Sequence, residues 1–274
     1  MKSRQILAFA QRSFSMNPQK ASLSSHLPQV PNMSKLKKFY RHAEVIEHPE
    51  SDILEKLKPG ESVTYNNLSK THGPYWGVAL DGRPIKTIYK ERMAVPSRAL
   101  AVALAEEWES QGEKIDIKSL HLNQMLAKAI RAENDPSLAQ YYQDQIQVTL
   151  ENDQVCFRED PDSQNDYKRN LAEIQKKHTD PVFEFMKRRF DITLKIWHAI
   201  PLELQDKSVK NISPVLAELD PIVLNSLYQI TTMSKSAALA FTLLYQGDQE
   251  DGEGIEKLSL HEAVNISRVD EQYQ

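Results

Sequence analysis

Cysteine is almost missing: Cys156 is the only one in 274 residues. A single thiol excludes an internal disulfide framework and any cysteine-based zinc finger. Glycine is scarce, 8 residues against 14 prolines, which argues against glycine-rich phosphate loops and low-complexity architecture. No run approaches the ~18 consecutive apolar residues of a membrane-spanning helix, so no transmembrane segment is expected. The sequence has no GxSxG elbow, no Walker loop, no GxGxxG turn and no HExxH helix, the usual short signatures of catalysis and nucleotide binding. The eight histidines are scattered and none stands at metal spacing with a second ligand. No metal and no cofactor is therefore expected.

What is present suits a globular chain of one or two domains with a sizeable core: 26% of residues are charged and 40% hydrophobic. The net charge of -4 gives no reason to expect nucleic acid as a partner. That total hides an asymmetry. Up to Ala43 there is no Asp or Glu, while Lys2, Arg4, Arg12, Lys20, Lys35, Lys37, Lys38 and Arg41 carry +8, which leaves -12 for the rest. The start is also serine-containing, with apolar Ile6, Leu7, Phe9 and Phe14. An acid-free, basic, amphipathic start is the composition of a mitochondrial transit peptide, drawn inward by a negative-inside membrane potential. Arg12-Ser13-Phe14-Ser15 resembles a matrix processing site. Residues 1–34 are read as this presequence followed by an unstructured linker rich in Pro and Ser.

Along the chain, Lys38 to Ile46 reads as a strand and Glu47 to Gly73 as a charged, irregular insertion. Tyr75 to Leu80 is strand-like, Asp81-Gly82-Arg83-Pro84 is a turn, and Ile85 to Tyr89 returns as a second strand. Met93 to Val95 is a further short strand. Ser97 caps a helix whose Leu100, Leu104 and Trp108 share a face. Helices are expected from Leu122 to Glu133, Ser137 to Leu150, Asn165 to His178 and Pro181 to Phe190. More follow from Ser208 to Leu219, from Ile222 to Tyr245 (one bent helix or two) and from Leu260 to Tyr273. Thr193 to His198 is ambiguous. Strands segregated from helices define an α+β class. It has a small β-rich N-terminal domain with one or two helices over 35–120, then an all-helical, orthogonal bundle-like C-terminal domain over 121–274.

The chemistry-bearing residues read mostly as structure. Cys156 is taken as a buried, inert thiol. Asp81 and Arg83 flank a tight turn, where an Asp accepts backbone hydrogen bonds. Trp76, Trp108 and Trp197 are core anchors. Ser234-Lys235-Ser236 resembles a Ser/Lys catalytic pair, but in an apolar helical run small hydroxyl residues let helices approach closely. Gly252-Glu253-Gly254 is a flexible connector. The acidic end differs. Asp248, Glu250, Asp251, Glu253 and Glu256 form one cluster, and Asp270 and Glu271 lie on the last helix. They are either a solvated face or carboxylates that set partner choice.

These residues carry a family likeness. The run Trp76 to Thr87 (WGVALDGRPIKT) resembles the hallmark of the mitochondrial F1-ATPase assembly chaperones that serve the alpha subunit. Val95 to Ala101, running on to Ala105-Glu106-Glu107-Trp108 and Gln111-Gly112, is similar to that family's next block. Leu120 to Arg131 resembles a third, although Lys128, Ala129 and Ala132 replace its usual Asn-Thr and Asp. Asp153 to Arg158 and Thr179-Asp180-Pro181-Val182 resemble the second domain. Ser234-Lys235-Ser236 and Arg268 to Gln274 resemble the closing helices. The family usually continues beyond them with a further tail.

The resemblance implies a non-catalytic protein of the mitochondrial matrix, free or associated with the inner membrane, and monomeric when free. It would bind the free F1 alpha subunit and shield the surface that alpha later gives to beta. It places client contact on the helical domain, with Asp270 and Glu271 facing basic client residues. The alternatives are a structural subunit of a mitochondrial complex that reuses the chaperone fold, and an enzyme of unrecognised type.

Overall fold

The computed structural model describes residues 36–48, 74–88, 90–199, 205–247 and 257–272. The expected presequence and linker, most of the expected insertion, and the acidic cluster from Asp248 to Glu256 lie outside the described residues. The described chain falls into two compact units. The smaller comprises 36–39 with Gln111–Ser119. There Lys37 and Lys114 form an antiparallel bridge, and Ile115 N donates to Leu36 O at 2.9 Å. Gln111 braces the turn from within: its Oε1 accepts from Asp116 N at 2.7 Å and its Nε2 donates to Ser119 Oγ at 2.9 Å.

The larger unit begins with a four-stranded antiparallel sheet: β1 Ala43–His48, β2 Tyr75–Leu80, β3 Arg83–Pro84 and β4 Ala94–Val95. β2 is central. β1 pairs along one edge, while β3 and β4 share the other. The first strand lies later than Lys38 to Ile46 and takes in Glu47 and His48, because pairing with β2 runs from Ala43 opposite Leu80 to His48 opposite Tyr75. The turn is also tighter than expected. Asp81 (φ 47) and Gly82 (φ 76) both take positive φ, so two residues reverse the chain, as Asp-Gly hairpins do. Arg83 and Pro84 are therefore already strand. Beyond Ile85 the expected second strand is reduced to an isolated bridge between Lys86 and Arg92 and a turn in which Thr87 N donates to Glu91 O at 2.9 Å.

One helix covers this sheet and a second packs against that helix. α1, Arg98–Glu109, is capped by Ser97, whose hydroxyl accepts from Leu100 N. α2 is His121–Asn134. Tyr75, Val78, Met93 and Val95 from the strands pack with Ala101, Leu104, Leu126 and Ile130 in a first core. Trp76 and Trp108 close its margin, half-buried.

The remaining helices enclose a second, larger core. They are α3 Pro136–Glu151, α4 Asp166–Phe190, α5 Ile212–Glu218, α6 Pro221–Ser234, α7 Ala237–Tyr245, α8 Leu260–Ser267 and α9 Val269–Gln272. The fold is α+β, a small front sheet followed by helices. Two helix boundaries depart from the local pattern. α4 runs 25 residues straight through Pro181, where two helices were expected. An interior proline costs about 3 kcal/mol. Val182, Phe185 and Met186 just beyond it are each at most 1% exposed, and burying such side chains contributes roughly 1.5–3 kcal/mol apiece. Continuing the helix thus outweighs the proline. The apolar run from Ile222 to Tyr245, expected as one bent helix or two, is two, divided at Lys235, which sits at φ 55. The closing helix likewise divides at Arg268, giving α8 and α9.

Candidate partner-binding surface

The polar residues of the recurring motifs are engaged by backbone. The Asp81 carboxylate accepts from Arg41 N and His42 N at 3.0–3.1 Å. Those bonds hold its carboxyl below the usual carboxylate range. Asp81 thereby ties the hairpin to the chain entering β1. Glu107 on α1 does the same for α2, which has no side-chain cap of its own. It accepts from Leu122 N at 2.7 Å, Asn123 N at 3.0 Å and Asn123 Nδ2 at 2.9 Å. Trp108 Nε1 donates to Asn123 Oδ1 at 3.0 Å, and Asn123 Nδ2 also reaches Leu104 O. The first turn of a helix leaves free N–H groups, and here a carboxylate from the preceding helix satisfies two of them.

Asp153 repeats this device inside the helical core. It is fully buried and accepts from Val155 N at 3.2 Å and Ala238 N at 2.9 Å. Desolvation raises its carboxyl to about 6, against hydrogen bonds from Ala238, Ser236, Val155 and Ala237 that lower it. Ser234-Lys235-Ser236 is the helix break itself. Ser236 caps α7 by accepting from Leu239 N at 3.0 Å, Ser234 Oγ donates back to Ile230 O at 2.8 Å, and Lys235 O accepts from Gln154 N at 3.2 Å. The three residues join two helices. Cys156 is fully buried, takes a hydrogen bond from Gln205 Nε2 at 3.3 Å, and has its thiol pushed up by burial.

The two carboxylates singled out on the last helix have different surroundings. Asp270 is half-buried, and its Oδ1 accepts from Gln175 Nε2 on α4 at 2.6 Å. Gln175 is 3% exposed and its Oε1 accepts from Glu159 N at 2.7 Å. Glu271 is exposed and pairs with Arg268 one turn back, at 3.2 Å. Asp270 alone of the two lines a groove, with Gln154, Phe157, Gln175, Ser234 and Ser267. The partners of Asp270 come from residues 95 positions away, and no local signal announces that pairing. Gln154 and Phe157 do stand in the recurring block Asp153 to Arg158, the one sign that could have drawn attention to them.

The helices that contribute to this hollow also carry exposed apolar side chains. Met233, beside Ser234 on α6, is 83% exposed, and Leu260 and Val264 on α8 are 77% and 51% exposed. Phe157 packs against Trp197 in a tilted arrangement with ring centroids 5.1 Å apart, yet stays part-exposed. Among the described residues no group of His, Cys, Asp and Glu could hold a metal ion, and no helix is long and apolar enough to cross a membrane.

Uncovered apolar side chains beside a polar groove are the usual features of an interaction surface, which is what a binding protein requires. The ATP12 chaperone protein family model matches residues 37–187, more than half of the chain. The chain belongs to that family, a family of assembly chaperones. Two solved structures share the fold. The Atu1473 protein of Agrobacterium tumefaciens is 23% identical with a TM-score of 0.66, over 86% of this chain and 74% of that one. Atp12 of Paracoccus denitrificans is 22% identical with a TM-score of 0.64, over 88% and 85%. A point variant of the latter is also similar, at 23% identity and a TM-score of 0.62 over 88% and 85%.

Proposed function

We propose that this protein is a non-catalytic assembly chaperone of the mitochondrial ATP synthase that holds the free F1 alpha subunit until beta displaces it. Family membership supports the chaperone role, and the exposed Met233 on α6 and Leu260 and Val264 on α8, the helix just before Asp270, support the choice of surface. An unassembled subunit of an obligate ring exposes a large apolar interface. Apolar side chains on the chaperone cover it, and nearby carboxylates orient it. Asp270 and Glu271 face basic residues of the client in this reading. The acid-free start directs the protein to the matrix.

A crosslinked pull-down from mitochondria, read by mass spectrometry, tests the proposal. Recovery of F1 alpha without stoichiometric beta is expected. Co-migration with a complete ATP synthase or respiratory complex on a native gel would instead make the protein a structural subunit. Changing Asp270 and Glu271 together to Lys weakens alpha capture about tenfold or more, as reversing interfacial charge does; unchanged capture removes them from the surface. Deleting residues Met1 to Ser15 leaves the protein cytosolic, and matrix import of that variant would overturn the targeting assignment.

A further inference from the structure

We propose that the C-terminal end of α4 and the 3-10 helix Lys207–Asn211 form a lysine face that docks on an anionic lipid bilayer. This goes beyond the client-binding reading and uses a different surface. The whole chain carries a net charge of -4, yet the described residues between 187 and 211 hold six cations against two carboxylates. Four of the cations are Lys187, Lys195, Lys207 and Lys210. A 3-10 helix repeats every three residues, so Ser208 and Asn211 share one side of it. That side holds the chain leaving α4: Ser208 Oγ accepts from Thr193 N at 2.9 Å, and Asn211 Nδ2 donates to Asp191 O at 3.2 Å. Val209 points inward, 3% exposed. Lys207 and Lys210 share the third side and are exposed. Lys195 lies alongside, its N–H donating to Gln205 Oε1 at 2.7 Å. The two carboxylates are already engaged. Asp191 pairs with Lys187 at 2.5 Å, and Asp206 caps the 3-10 helix by accepting from Ser208 N at 2.8 Å. The bonds from Ser208 hold the Asp206 carboxyl below the usual range, and the nearby Lys195 and Lys187 add to the effect.

The helix dipole accounts for cations in the last turn of α4, but not for Lys195 and Lys207. A face made of lysines suits a lipid surface better than a protein. Protein interfaces are depleted in lysine, whose long, strongly hydrated side chain loses much rotamer freedom when fixed in one contact. A bilayer asks for no fitted shape. It presents a plane of negative headgroups, and each Lys or Arg brought near it strengthens binding roughly fivefold. The place on α4 also leaves the client surface free. Gln175, which bonds to Asp270, lies twelve residues before Lys187, about 18 Å along the helix. Bilayer and client therefore engage different parts of the larger unit.

Flotation of the full chain with vesicles tests the proposal. One set is phosphatidylcholine alone, and the other contains about one third phosphatidylglycerol, both in roughly 0.1 M salt. Every protein carries Lys2→Gln, Arg4→Gln, Arg12→Gln and Lys20→Gln, which removes the basic start as a second lipid site. Binding to the anionic vesicles alone is expected, and about 0.5 M salt should release it. Adding Lys207→Gln and Lys210→Gln should weaken binding about tenfold or more, while Lys207→Arg with Lys210→Arg preserves it. Removing the same charge from the exposed Lys176 and Lys177 of α4, as Lys176→Gln with Lys177→Gln, should change binding by less than about twofold, because those lysines lie outside the face. Absent binding to the anionic vesicles, equal binding to the neutral ones, or equal loss in the two glutamine pairs overturns the proposal. Capture of purified F1 alpha is measured with the same proteins. Unchanged capture with lost vesicle binding is the expected result for the Lys207 and Lys210 glutamine pair. Lost capture with unchanged vesicle binding would make these lysines a contact for an acidic protein surface and overturn lipid docking. Vesicle binding by a chain that captures no alpha would sink the client reading and spare the lipid face.

Discussion

Glu107 and Asp270 are both carboxylates placed between helices, and they are used in opposite ways. Glu107 accepts three hydrogen bonds, two of them from the opening turn of α2, and its partners lie just across a helix–helix junction. Asp270 accepts one, from Gln175, and lines a groove with acceptors to spare. The sheet end of the molecule and Asp153 follow the first pattern: Asp81, Glu107, Trp108 and Asp153 all bond to backbone or to a side chain that braces backbone. The C-terminal end follows the second, with an unmet acceptor and uncovered Met233, Leu260 and Val264. The residues by which the family is recognised are therefore mainly those that build the fold. At the C-terminal end the exposed Met233, Leu260 and Val264 lie outside those motif blocks, whereas Asp270 and Ser234 lie within them.

If the first pattern is right, its carboxylates should dominate stability. Asp153 offers the largest effect. Burial raises its folded value from 3.8 to about 6, so the folded state favours the protonated acid. Its contribution to stability is present below about pH 4 and lost as pH rises through 6. Urea unfolding across that range should show a loss on the order of 3 kcal/mol from this group. The Asp153→Asn curve should be flatter by that amount. Parallel curves would mean that Asp153 does not titrate as a buried acid.

Glu107→Ala comes next. It leaves Leu122 N and Asn123 N without their acceptor, and a loss of about 2 kcal/mol is expected in urea unfolding, the upper range for a missing cap. Alpha capture by the folded fraction should not change. Reduced capture at full stability would place Glu107 at the client surface and erase the contrast with Asp270.

Gly77→Ala tests packing in the central strand. A Cβ there would lie 2.7 Å from His48 Nε2, closer than real contacts allow, and a tight 3.1 Å from Met93 O. A loss of about 1–2 kcal/mol is expected, reduced when His48→Ala makes room. An additive double variant would show that the His48 ring is not what Gly77 accommodates. The smallest effect falls at the other end. Glu271 and Arg268 are about 60% exposed and pair within one turn, so Glu271→Ala should change stability by no more than ~0.5 kcal/mol. A larger loss would move Glu271 into the group that builds the fold.

Much of the architecture was legible along the chain because its causes are local. Asp81-Gly82 reverses the chain through its own backbone preferences. Ser97 caps α1, Asp220 and Pro221 start α6, and the short apolar run of β2 before its turn matches a strand. The departures arise where burial decides. Pro181 reads locally as a helix end, yet the apolar side chains beyond it keep α4 whole. The run from Ile222 to Tyr245 reads as one bent helix or two, and the tertiary structure settles on two, with the positive φ of Lys235 held by Ser234, Ser236 and the turn that follows Asp153. Residue type and order were enough for the α+β class, the hairpin, the helix starts and the family likeness, because those depend on neighbours a few positions apart. Only the tertiary structure decided that Glu107 caps α2, that Asp153 is buried under α7, and that Asp270 bonds to Gln175 while Glu271 pairs with Arg268. Those contacts join residues far apart in the chain, and the burial that gives them their energy exists only once the helices have packed.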